Sequence, residues 1–305
     1  MQRYPRVTII TPTYNRANFL PETIDSILNQ GYPNLEYFVI DDGSTDNTAE
    51  VMKRYGDRVQ YLYHPNVGEP SSVNRGWDLA TGDYVCVVSS DDPQLPMLIS
   101  RSVEVMGRNP DMIVTYPDWL LIDEQSKVLG EFRAPDYDYK LMVAELRCLP
   151  GPGAFIRRAV VQKYMKQLRD PDYPLISDLV CWWRIGLVGP FMHIPEFLGQ
   201  WRQHPNMTTA LVAKSRAMAE THIKLAREFF RRNDLPLRVR AWERASKCSV
   251  YVAASGFTNE ADPWYSLRNV LIACWYAPKT ALPHIRGALA HFPLLRKAYR
   301  AIQRR

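Results

Sequence analysis

Two pairs of adjacent carboxylates stand out in the sequence: Asp41-Asp42 in DDGSTD and Asp91-Asp92 in SSDDP. Each follows a short apolar run, Leu35 to Ile40 (LEYFVI) and Tyr84 to Val88 (YVCVV). Carboxylates at strand ends suit a hard divalent cation, and magnesium takes only one or two of them while phosphate oxygens fill other positions. Neighbouring side chains in a strand point to opposite faces, so one member of a pair is expected to bind and the other to orient. Asp91-Asp92 fits the metal role. Asp41-Asp42 suits a base or ribose, to which it can offer hydrogen-bond acceptors. An Asp-rich turn after a strand is more often a plain turn or cap, and it is the recurrence of the pattern that argues for chemistry.

The elements that must position these pairs follow one grammar. Val7 to Thr11 (VTIIT) reads as a buried strand entering the turn PTYNR. Leu20, Ile24, Ile27 and Leu28 line one face of a helix, with Pro21 in its first turn and Gly31 and Pro33 as its stop. Val59 to Tyr63 makes a third strand, and a helix from about Ser71 to Ala80 precedes the fourth. Strands alternating with helices predict an α/β fold: a Rossmann-like, mostly parallel sheet flanked by helices, followed by a helical C-terminal region. Ligands of such sheets bind beyond the carboxyl ends of the strands, which selects PTYNR, DDGSTD and SSDDP. The chain has no GxGxxG after the first strand and no GxxxxGK[ST], so a dehydrogenase or P-loop reading loses its support.

The 305 residues, 46% hydrophobic and 23% charged, exclude disordered and collagen-like classes. The net charge of +6 is local: residues 281–305 carry Arg286, Arg296, Lys297, Arg300, Arg304 and Arg305 with no acidic side chain, leaving the rest neutral. A nucleic-acid partner is therefore not expected. Five cysteines without CxxC spacing fit a reducing compartment, and none is a strong metal-ligand candidate. The first apolar run, only about five residues, is short of a signal-peptide core, and no stretch approaches the roughly 18–20 residues of a membrane span. A cytoplasmic protein is expected. In the tail, Leu295, Tyr299 and Ile302 oppose Arg296, Lys297, Arg300 and Arg304. Such a basic amphipathic helix suits either packing on the body or peripheral contact with the anionic inner face of a membrane.

The segments VTIITPTYNR, QGYPNLEYFVIDDGSTDNT and NRGWDLATGDYVCVVSSDDPQLP, in that order, resemble the nucleotide-binding half of the family 2 glycosyltransferases with the GT-A fold. The resemblance implies metal-dependent transfer, with Mg2+ or Mn2+, of a sugar from a nucleotide-diphospho-sugar, UDP-linked by expectation. The acceptor would be a hydroxyl of a saccharide or lipid-linked molecule, the transfer would proceed with inversion, and the setting would be polysaccharide or glycan biosynthesis at the cell envelope. It assigns residues 1–105 to nucleotide-sugar binding, 106–209 to the acceptor and catalytic base within the same domain, and 210–305 to the helical region.

Position by position, Pro12, Tyr14 and Asn15 match the first nucleotide-contacting turn, and Asp42 the aspartate that contacts the base. Asp91 and Asp92 occupy the DXD-type motif, Asp92 as metal ligand and Asp91 nearer the ribose or donor sugar. ISDLVCWWRIGLVGP matches the catalytic-base segment with Asp178, Ser177 replacing the usual glutamate. Val73-Asn74 stands where many members have Arg-Asn, leaving Asn74 as a nucleotide-sugar contact and Arg75 as a substitute cation. QWRQHPNMTT resembles the later Arg-His segment, with His204 expected at the metal or diphosphate and Arg202 beside it at the acceptor. Trp119, Trp182 and Trp183 are further acceptor candidates, although a tryptophan is more often a packing residue. The chain lacks QxxRW and any span, so single addition is expected rather than processive synthesis. Two alternatives remain: a decayed nucleotide-sugar-binding protein, and a nucleotidyltransferase, which would show a Gly-rich basic loop where PTYNRANF stands.

Overall fold

Each apolar run that ends in a polar turn forms a strand. They are β1 (Val7–Thr13), β2 (Leu35–Asp41), β3 (Gln60–Tyr63) and β4 (Tyr84–Val87), then β5 (Val114–Ile122), β6 (Val128–Phe132), β7 (Phe155–Arg157) and β8 (Phe191–Arg202). The computed structural model describes residues 4–205, 207, 215–258, 261–289 and 292. The amphipathic helix expected at 294–305 lies outside the described residues.

All eight strands form one sheet in the order β3-β2-β1-β4-β7-β5-β6, with β8 added to β5. The pairings among β1 to β4 are parallel, as is β5 with β8, while β7 and β6 run against their neighbours. The predicted mostly parallel sheet is therefore present. Strand order reverses at β1, which has β2 on one side and β4 on the other, and a crevice forms at such a switch point. Pro12 sharpens it. Proline has no N–H to give a neighbour, and β4 follows β1 only from Val7 to Ile10. Beyond that point the strand pairing ends, and the turns after β1 and β4 meet again where Arg16 Nε lies 3.4 Å from Asp91 Oδ2.

Helices α1 (Leu20–Leu28), α2 (Thr48–Lys53), α3 (Glu69–Leu79) and α4 (Leu98–Arg108) connect the first strands. The predicted spacing in α1 holds, with Leu20, Ile24 and Ile27 buried in the core beside Val7, Ile9 and Val39. Helix α3 starts two residues before the expected Ser71, which places Glu69 in its first turn. It presses on β1 closely enough that a Cβ on Gly76 would lie 2.5 Å from Ile10 Cγ2, and only glycine fits there.

The chain divides into two compact units, Met1–Tyr137 with Cys148–His204, and Asp138–Arg147 with Pro205–Arg305. The first holds the sheet, α1 to α4, and two further helices, α6 (Arg158–Val161) and α7 (Ser177–Ile185). The second holds α5 (Tyr139–Ala144), α8 (Arg216–Phe230), α9 (Leu237–Arg240), α10 (Glu243–Thr258), α11 (Pro263–Tyr276) and α12 (Pro278–Ala288). It is the expected helical region. Its core is rich in alanine (Ala219, Ala226, Ala254, Ala273, Ala281), so helix backbones approach closely, and a Ser255–Ser266 hydroxyl contact of 2.8 Å joins α10 to α11. No helix among the described residues is long and apolar enough to cross a membrane.

Candidate active site

The turns after β1 and β2 are tied to each other. Asn15 takes a left-handed backbone conformation (φ 52°), and its side-chain oxygen accepts the N–H groups of Thr45 (2.8 Å) and Asp46 (3.3 Å). Its own N–H donates to Ser44 Oγ at 2.9 Å. Asn15 thus shapes the DDGSTD turn. Pro12 is buried at the end of β1, and Tyr14, 46% exposed, presents its ring at this edge.

Asp42 is buried and accepts the N–H groups of Val67 (2.8 Å) and Gly68 (3.0 Å), one on each carboxylate oxygen. Asp41 accepts from Ser44 N–H at 2.8 Å and Tyr61 hydroxyl at 2.5 Å. Both members of the first pair organise loops, and only the remaining lone pairs of Asp42 are left for a base. Gly43, the next residue, has φ +81°, and a Cβ there would stand 2.6 Å from the Asn66 backbone nitrogen. Gly43→Ala should therefore lower unfolding stability by about 1–3 kcal/mol. A fall in the urea midpoint without a change in slope would show it; an unchanged midpoint would refute it.

The SSDDP loop is held from several sides. Thr23 of α1 donates to Ser90 O at 3.1 Å, and Gln94 N–H to Ser26 Oγ at 2.9 Å. Arg202, at the end of β8, donates its backbone N–H to Asp92 Oδ1 (2.8 Å) and its Nε–H to Asp91 O (2.8 Å). Its Nη1 reaches Asp123 O (2.8 Å) and Ser126 Oγ (3.0 Å), and its Nη2 reaches Glu22 (2.6 Å). The side chain is 0% exposed, with its guanidinium over the Phe19 ring. This corrects the expectation of an acceptor contact: Arg202 spends its donors on the fold.

The two aspartates of the second pair have different surroundings. Asp92 is buried and bound to Arg202 N–H. Burial, and then the charge of Asp91, push its carboxyl well above the ordinary carboxylate range, against the pull of Arg202. Asp91 keeps contact with solvent, and its Oδ2 lies 3.0 Å from His204 Nε2 and 3.4 Å from Arg16 Nε. Asp91 and His204 are thus joined by a hydrogen bond beside the buried Asp92. Among the described residues no group of three or more His, Cys, Asp or Glu side chains could hold a metal, so other ligands would have to come from a substrate's phosphates.

Asp178 stands in the first turn of α7, where unpaired backbone N–H groups favour a negative side chain. It is exposed, and its Oδ1 accepts Leu179 N–H at 2.8 Å. Ser177 beside it is buried and donates to Glu69 Oε2 at 3.1 Å. Glu69 is exposed and stands in the first turn of α3. Desolvation by the protein around its carboxylate raises its pKa; the Arg169 charge opposes that rise, while Asp178 and Asp42 add to it. A run of contacts therefore links the end of β2 to the start of α7: Asp42 to Gly68, Glu69 to Ser177, then Asp178.

Asn74 is bound to the backbone of a distant segment. Its carboxamide donates to Arg169 O (2.9 Å) and accepts Arg169 N–H (2.8 Å), a two-point clamp on the backbone at 169. Val73 is core, and Arg75 donates to Tyr63 O at 3.2 Å. Trp183 is 0% exposed and Trp182 packs edge-on against Phe191, so both belong to the interior. Trp119 is buried in β5, stacked on Phe132 with ring centroids 4.2 Å apart. The acceptor contacts expected of these three tryptophans are thus not supported by their burial. Glu69 and Arg169 were passed over in the sequence; the one signal pointing to Glu69 was the serine at 177, whose hydroxyl needs an acceptor.

A switch-point crevice lined by strand-end carboxylates, in a sheet of this order, belongs to the GT-A class of glycosyltransferases. Residues 8–165 match glycosyl transferase family 2, and the chain belongs to that family. It is 38% identical over 148 residues to an uncharacterized glycosyltransferase of Rickettsia typhi, covering 48% of this chain and 46% of that protein's length. Among solved structures it is similar to S. aureus TarS 1-349 in complex with UDP-GlcNAc (TM-score 0.68, 15% identity, 97% of this chain and 92% of that one). It is also similar to a mannosyltransferase of Pyrobaculum calidifontis in complex with GDP-Man and Mn2+ (TM-score 0.56, 18% identity, 97% and 83%).

Proposed function

We propose that this glycosyltransferase moves a sugar, with inversion, from a nucleoside-diphosphate sugar to an acceptor hydroxyl, with the help of a divalent cation. The observation that carries the reading is the division of carboxylates along one sheet edge: Asp91 pairs with His204, and Asp178 stands exposed at the start of α7. A UDP-linked donor, and a saccharide or lipid-linked acceptor, are the substrate classes we favour. The UDP-GlcNAc bound by TarS and the Mn2+ bound by the Pyrobaculum enzyme support the donor class and the cation.

The leaving diphosphate gathers negative charge as the glycosidic bond breaks. A cation held by Asp91 and His204 would supply Lewis-acid stabilisation of that charge. Arg16, beside Asp91, adds a fixed positive charge at the same place. Asp178 accepts the proton of the attacking hydroxyl. A carboxylate is a weak base toward an alcohol, so this transfer comes late, once oxocarbenium character has made the hydroxyl acidic.

A thermal-shift screen of UDP-, GDP- and dTDP-sugars with and without Mn2+ tests the binding half. One donor at 100 times its Kd should raise stability by about 2.7 kcal/mol. That rise should depend on Mn2+ and be lost in Asp91→Asn. No shift with any nucleotide sugar would remove the reading.

A further inference from the structure

The helical unit holds a cavity of about 600 Å³ lined from α8, α10 and α11. Five cations line it: Arg216, Lys224 and Arg227 of α8, Arg231 just past its end, and Arg268 of α11. Against them stand two carboxylates, Glu220 and Glu228, so the lining carries a net charge of +3. Arg216 is answered by Glu220 at 2.8 Å and by Asp262 at 3.7 Å. Arg227, Arg231 and Arg268 are exposed, and among the described residues no carboxylate lies within ion-pair distance of them.

Two buried tyrosines hold these cations in place. The guanidiniums of Arg216 and Arg268 both lie over the Tyr265 ring, 4.6 and 4.5 Å from its centre. Arg227 Nη2 donates to the Tyr251 hydroxyl at 3.0 Å. A guanidinium laid on a ring is positioned by its face and keeps the N–H groups at its edge for a ligand. Like charges gathered around one hollow repel each other, and an anion that enters relieves the repulsion. The size limits that anion, because cavities of roughly 300–1,000 Å³ take small molecules rather than polymers. A phosphoryl group offers several oxygens that guanidinium forks bind two at a time, whereas one carboxylate engages a single fork. We propose that Arg227, Arg231 and Arg268 form a phosphoryl-binding site in the helical unit, built from none of the residues of the carboxylate-lined sheet edge. The group belongs either to a soluble phosphate ester or to the headgroup of an anionic lipid; both present the same oxygens.

The test titrates the full chain with inorganic pyrophosphate in EDTA, which removes any binding that needs a divalent cation. Wild type is compared with Arg227→Gln/Arg231→Gln, with Arg268→Gln, and with Arg238→Gln/Lys279→Gln, a pair of equal charge change outside the cavity lining. The cavity pair should lose about tenfold or more in affinity and Arg268→Gln about 3- to 10-fold, the scale of charge-assisted hydrogen bonds. The outside pair should stay within about twofold of wild type, as isolated surface charges do. Cosedimentation with phosphatidylcholine vesicles, with and without phosphatidylglycerol, assigns the source. Binding to the anionic vesicles that the cavity pair loses and the outside pair keeps names a lipid headgroup; pyrophosphate binding without vesicle binding names a soluble ester. Wild type that binds neither probe would overturn the proposal. Equal weakening in the outside pair would also overturn it, because the attraction would then be to diffuse charge. Arg268→Gln serves if the cavity pair fails to fold, and its indifference to both probes would be equally fatal.

Discussion

Asp178→Asn is expected to lower turnover by about 100- to 10,000-fold while leaving nucleotide-sugar binding within about threefold, the range typical of removing a general base. In energy this is roughly 3–5 kcal/mol of transition-state stabilisation, at about 1.4 kcal/mol per tenfold. The substitution is conservative in the fold: asparagine keeps an oxygen for Leu179 N–H, and the side chain is otherwise exposed. Only the ability to take a proton is lost. Transfer kinetics, together with titration of the nucleotide sugar, separate the two quantities. Near-normal turnover would move the base elsewhere, and Glu69, joined through Ser177, would be the next carboxylate to test.

Arg202→Met is expected to cost about 3–5 kcal/mol of stability, the scale on which removing one partner from a buried charged network is felt. For a unit of this size that is a fall of roughly 10 °C in melting temperature. The estimate rests mainly on the carbonyl oxygens of Asp91 and Asp123 and the Ser126 hydroxyl, which lose their donors in a buried place. The ion pair to half-exposed Glu22 adds less, being screened by water. Arg202→Lys should restore only part of the loss, because an ammonium cannot reproduce the planar fork. Both variants should also weaken donor binding, since Arg202 fixes the backbone that carries Asp91. A melting temperature within 2 °C of wild type would show that the network is not what holds the loop.

The sheet edge was legible because its signals are local. VTIIT, LEYFVI and YVCVV are too apolar to face water, and each ends in a turn that must lie at the same edge of a parallel sheet. Asp178 and His204 were found through resemblance in short segments, and the structure brings His204 to Asp91. What stayed hidden depends on partners far along the chain. The burial and backbone tie of Asp92 come from Arg202, 110 residues away. The clamp on Arg169 spans 95 residues, and the Ser177–Glu69 bond spans 108. Arg202 misled because arginine is usually exposed, whereas here it closes a network of carbonyls. The tryptophans followed the opposite rule, packing inside as large apolar rings usually do.

The most direct test of the central claim is the product itself. The protein is incubated with Mn2+, an acceptor library and each of UDP-, GDP- and dTDP-linked α-sugars, while nucleoside diphosphate release and the anomeric configuration of any new glycoside are followed by NMR. The account predicts a β-linked product from one donor, formed only with the divalent cation and absent in Asp178→Asn. A donor that binds tightly yet yields no glycoside on any acceptor, or a product that retains the α configuration, would contradict it.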